Sequence, residues 1–140
     1  MPQLSVSANV VFTYYRDLAR AADFYANVMG LELVVDQGFA KIFRVTDASY
    51  IGLVDSEQGT LKAAETKPVI ISFVTPDPQG WHDHLLKQGV KIFMPMYDSQ
   101  RAGVVGFMAQ DPEGYVLEFE WFKDNERNKR MLEILKRGNP

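Results

Sequence analysis

Two segments set 60 positions apart run in parallel along this chain. "VVFTYYRD" begins at Val10 and "IISFVTPD" at Ile70, and each takes seven residues to reach an aspartate. A helical pattern follows each aspartate, and a glycine closes it after thirteen residues (Asp17 to Gly30) or twelve (Asp77 to Gly89). The residues themselves barely match. What repeats is an order of elements, and such an internal repeat constrains the fold more than any composition does.

The first copy opens with "NVVFTYY" (9–15), β-branched and aromatic, which reads as a strand. Asp17 is placed as an N-cap. Leu18, Ala21, Ala22, Tyr25, Val28 and Met29 then recur at helical spacing, and Gly30 ends the helix. Three strands follow, 31–37, 39–45 and 49–55, with turns at Gly38 and 46–48. Residues 56–67 are polar and read as a linker. The second copy gives a strand at 68–75 and a helix at 79–88 capped by Asp77, with Pro78 at its first position. Strands at 90–96, 103–109 and 115–121 complete it, and Pro95 marks the first of these as an edge or as ending early. The expected fold is α+β: two βαβββ modules, at about 8–55 and 68–122. A charged helix over 124–137 lies outside the repeat. Its narrow stripe of Met131, Ile134 and Leu135 packs on its own domain or on a second subunit.

At 140 residues and 46% hydrophobic content, the chain can bury one sizeable core. Its net charge is −3 and its basic residues form no stripe beyond the last helix, which argues against nucleic acid as a partner. It has no cysteine, so disulfides and thiolate metal sites are excluded. Residues 1–8 show neither the basic nor the apolar region of a secretory signal. No apolar run approaches the roughly 20 residues of a membrane span. A cytoplasmic location with no membrane partner is expected.

"DLARAADFYANVMGLELV" and "DPEGYVLEFEWF" resemble the first helix with its following strand, and the closing strand, of the vicinal oxygen chelate superfamily. That group holds glyoxalase I, extradiol dioxygenases, and fosfomycin- and bleomycin-resistance proteins. The resemblance covers roughly residues 8–122. It implies a paired, curved mixed sheet around a central cavity, with the helices outside. It also implies four metal-ligand positions, which fall on Val10, Gly52, Ile70 and Glu118. Only Glu118 can bind a metal, whereas a catalytic ion in such a site needs about three protein ligands. His82 and His84, the only histidines, sit two apart on a helix and point in different directions. No metal and no other cofactor is expected.

Strand alternation extends those four positions into a cavity lining. Val10 brings Phe12 and Tyr14. Gly52 brings Tyr50 and Val54. Ile70 brings Ser72 and Val74, and Glu118 brings Val116 and Glu120. The same rings could instead fill a closed core. A carboxylate at 118 would lose hydration, which raises its pKa. Its candidate partners are Lys41, Arg44, Arg101 and the phenols of Tyr14 and Tyr50. Paired, Glu118 is a latch or a ligand anchor. Unpaired, it is a general base removing a proton next to a carbonyl, with Tyr14 or Tyr50 donating to the oxyanion. Asp36, Gln37 and Lys41, with Phe39 among them, form a hairpin that could act as a rim. Residues 97–107, the longest irregular stretch, read as a gating loop that adds Arg101 and Phe107 to the ligand-binding set.

Three functions remain open on these grounds. The first is a protein that sequesters a hydrophobic or aromatic small molecule. The second is a metal-independent, glyoxalase-like lyase or isomerase with Glu118 as base. The third is a scaffold with a filled cavity. A homodimer is expected, by analogy with drug-sequestering members of the group.

Overall fold

The computed structural model describes residues 4–138. Residues 1–3, part of the segment read for a signal, lie outside that range. The chain divides at Thr66/Lys67 into two compact units.

In the first unit the elements are β1 (Asn9–Tyr15), α1 (Leu18–Asp23), β2 (Glu32–Asp36), β3 (Ala40–Thr46) and β4 (Ser49–Asp55). They form a four-stranded sheet in the order β1-β4-β3-β2, with β1 parallel to β4 and the other pairs antiparallel. One face is buried: Thr13, Tyr15, Phe43, Ile51 and Leu53 lie with Ala21, Phe24 and Tyr25 of the helical segment. Asp17 caps α1 as expected, accepting from the Arg20 amide at 3.1 Å. The helix does not continue regularly to Met29. It widens into a π-helical turn over Phe24–Val28, in which the Met29 amide reaches back to the Phe24 carbonyl at 3.0 Å. The wider turn places the adjacent rings of Phe24 and Tyr25 both in the core, edge to face with centroids 5.0 Å apart.

The second unit repeats the order with β5 (Ile70–Val74), α2 (Pro78–Lys87), β6 (Ile92–Ser99), β7 (Val104–Gln110) and β8 (Val116–Phe122). Its sheet order is β5-β8-β7-β6, with β5 parallel to β8. Asp77 caps α2 through the Gly80 amide at 2.9 Å. Gly30 (φ 71°) and Gly89 (φ 77°) both take the left-handed conformation that follows a helix, so the glycines at these two stops are conformational requirements. Under α2, Trp81 stacks on Phe119 (5.2 Å) and Phe119 on Phe107 (5.0 Å), beside fully buried Leu85 and Leu117.

The stretch 97–107 differs from expectation. Tyr97, Asp98 and Ser99 stay in β6, paired with Gly106, Val105 and Val104, and only residues 100–103 make a turn. Register shifts on either side of Met94 take up Pro95 and let the strand go on. β6 is an edge strand, as that proline implied.

After β8, a single 3₁₀ turn (Glu126–Asn128) leads into α3 (Lys129–Gly138). Buried Asn128 fastens this segment to the sheet unit, donating to the carbonyls of Gly103 (2.8 Å) and Lys123 (2.9 Å). Among the described residues, no helix is long and apolar enough to cross a membrane.

Candidate functional site

Each sheet has one face against its helix and one face turned away from it. On the second sheet, Leu117 and Phe119 of β8 are buried on the helix side, so Val116, Glu118 and Glu120 project from the other. Pairing places Ser72 beside Glu118 and Val74 beside Glu120 across β5, and Met108 beside Glu118 across β7. Tyr97 of β6 is opposite Gly106, and Gly106 is opposite Glu120. With no side chain at 106, the Tyr97 phenol extends past β7 to β8, where its hydroxyl donates to Glu118 Oε2. Ser72 Oγ donates to Glu120 Oε2.

This polar group sits on a largely apolar face, with Ile70 52% exposed and Val74 and Met94 also open. Among the described residues no Lys, Arg or His forms an ion pair with either acid. Burial raises the Glu120 pKa, and the neighbouring Glu118 raises it further against the opposing hydrogen bond from Ser72. Burial, then the acceptor Glu118, also drives the Tyr97 phenol well above its ordinary value, so it stays protonated and donating.

On the first sheet, Val10, Phe12 and Tyr14 of β1 lie on the face away from α1, next to Tyr50, Gly52 and Val54 of β4. Gly52 has a close neighbour: a Cβ placed there would strike the Phe12 ring edge. The glycine thus lets the Phe12 ring lie flat across β4 while remaining 45% exposed.

The polar partners proposed for Glu118 are occupied elsewhere. Lys41 pairs with Asp36 (2.9 Å), and Arg44 pairs with Glu32 and Asp47 (both 3.1 Å). The Tyr50 hydroxyl donates to the Asp47 carbonyl at 2.9 Å. Arg101 is exposed in the 100–103 turn. Phe107, expected in the lining, is wholly buried on the helix side, stacked on Phe119 and edge-on to His82. His82 bonds to Asp83 at 3.0 Å, and His84 lies edge-on to Trp81. Tyr97, the residue that does reach Glu118, was not anticipated.

The donor set does not suit a catalytic metal. Val10, Gly52 and Ile70 offer no side-chain donor atom, and the Phe12 ring covers Gly52. Among the described residues, no three His, Cys, Asp or Glu side chains converge as an ion would require.

The sequence signature of the Glyoxalase/Bleomycin resistance protein/Dioxygenase superfamily matches residues 8–119. No curated protein sequence matches the chain. Among solved structures, TioX from Micromonospora sp. ML1 is similar at 20% identity and a TM-score of 0.69, covering 83% of this chain and 98% of TioX. A lactoylglutathione lyase from Agrobacterium tumefaciens is similar at 18% identity and 0.68, covering 85% and 96%. A glyoxalase/bleomycin resistance protein/dioxygenase from Nocardioides follows at 15% and 0.67, covering 89% and 87%. At these identities the likeness concerns the fold.

Proposed function

This chain belongs to the glyoxalase/bleomycin resistance protein/dioxygenase superfamily, and we propose that within it the protein binds a hydrophobic or aromatic small molecule without a metal. The observation that carries this reading is the make-up of the helix-free sheet faces. On that of the second sheet, exposed Ile70, Val74 and Met94 surround one small polar group, Tyr97–Glu118–Glu120–Ser72. Apolar walls with a few placed polar atoms suit a small organic ligand. The apolar side chains supply area, and the Tyr97–Glu118 and Ser72–Glu120 pairs fix orientation. The protein acts in the cytoplasm as a homodimer, a state supported by the apolar residues left open on β2 and β6.

Titration with a neutral aromatic dye tests this. Saturable binding should survive extensive chelation and Glu118→Gln. It should weaken about tenfold in Ile70→Ser, and also in Met94→Ser. Binding that depends on added zinc, nickel or iron, or no binding at all, would overturn the reading.

A second reading is favoured by one contact. The Tyr97 hydroxyl against Glu118 sets a proton donor beside a base, the pair that a lyase or isomerase needs next to a carbonyl. Turnover that rises with pH and disappears in Glu118→Gln would establish it in place of simple binding.

A further inference from the structure

A groove of about 670 Å³ opens between α3 and the end of the β7–β8 pair, away from the acid pair. That volume lies inside the roughly 300–1,000 Å³ range of small-molecule sites. One wall is a single face of α3, since Lys129, Leu132, Glu133 and Lys136 follow the i, i+3, i+4, i+7 spacing. The other wall is Val105, Trp121 and Phe122.

The charges in this groove are not balanced internally. Lys123 is held by Asp98 at 2.5 Å, and Glu133 faces Arg130 at 3.6 Å. Asp124 is the remaining acid of the lining. Among the described residues, Lys129 and Lys136 have no ion-pair partner. Lys129 also stands in the first turn of α3, which carries no acid, and there the helix dipole disfavours a cation. The two lysines are seven residues apart, or about 10 Å along the helix axis.

We propose that this groove is a second binding site, for a flat aromatic dianion whose body rests on Trp121 beside Val105 and whose acidic groups meet Lys129 and Lys136. The aromatic wall selects a ring system. The separation of the lysines selects charge at both ends, because one carboxylate cannot contact ammonium groups that far apart. Each lysine acts as a point charge on a flexible stem, which suits an exposed rim.

Naphthalene-2,6-dicarboxylate is the probe, followed by calorimetry and by the two tryptophan indole N–H resonances. The expected result is saturable binding that shifts the Trp121 resonance and leaves that of Trp81, stacked on Phe119 under α2, in place. The monocarboxylate 2-naphthoate should bind at least fivefold more weakly. Lys129→Gln or Lys136→Gln should each bring the dicarboxylate down to that weaker level, whereas Glu118→Gln and Ile70→Ser should leave it unchanged. The last comparison separates this site from the sheet-face site, so either can fail without the other. Absence of saturation, a response at Trp81 alone, or indifference to both lysine variants would overturn the proposal.

Discussion

Glu118 and Glu120 illustrate how two adjacent alternate positions acquire a joint property. Alternation alone put them on one face, and the sequence indicated that much. It did not indicate which donor would reach Glu118. "VKIFMPM" reads as a strand whose even positions share a face, and on that pattern Tyr97 belongs to the opposite side. The register shifts around Met94 reverse this and bring Tyr97 into line with Gly106. Phe107 was misplaced for a related reason. β7, "VVGFMAQ", is apolar at positions on both faces, and only its pairing with Phe119 shows which way each residue points. The raised pKa of Glu120 has a direct consequence for stability. Burial and Glu118 disfavour its charged form, so folding favours the protonated carboxyl. That contribution is complete below the ordinary carboxylate pKa and is lost as pH rises through the raised value. Glu120→Gln remains neutral and still accepts from Ser72. Thermal melts should therefore show this variant more stable than wild type at pH 7, with the difference vanishing toward pH 4. A constant difference across that range would contradict the raised Glu120 pKa.

At the level of elements, the helix starts and stops were legible because they rest on short-range chemistry. Asp17 and Asp77 each have an amide three residues ahead to receive, and Gly30 and Gly89 each turn left-handed. The π-helical turn at Phe24 was not legible, since it depends on fitting two neighbouring rings into one core. The gating loop expected over 97–107 is mostly strand, because a ladder with β7 satisfies backbone groups that a loop would leave to water. The attachment of α3 was equally hidden, since nothing local marks Asn128 for burial. Its amide serves two carbonyls on separate segments. Asn128→Ala leaves both without that donor and should cost about 1–3 kcal/mol. Urea unfolding should show a lower midpoint with an unchanged slope. A stability equal to wild type would show that water replaces the amide freely.

At the scale of the whole molecule, the duplicated order of elements yields two four-stranded mixed sheets with the same strand pattern. Each leaves apolar side chains open, including Leu33, Val34 and Val35 on β2, and Phe93, Met94 and Met96 on β6. Exposed apolar groups of this extent mark surfaces that meet a partner or a ligand. For the homodimer, sedimentation equilibrium should give twice the 15.9 kDa chain mass, and Phe93→Glu should shift the distribution toward the monomer. A wild-type protein that stays monomeric at hundreds of micromolar would rule out that state.

The sequence by itself determined the repeated order of elements, the helix caps, and the face that Glu118 and Glu120 share. These follow from contacts within a few residues along the chain, where side-chain alternation and capping act. Only the tertiary structure decided that Tyr97 serves Glu118, that Phe107 belongs to the core, and that α3 stands off its sheet with two lysines facing Trp121 beside Val105. These depend on register and packing between segments far apart in the chain. A shift of one residue there exchanges the faces of a strand and leaves no trace in local composition.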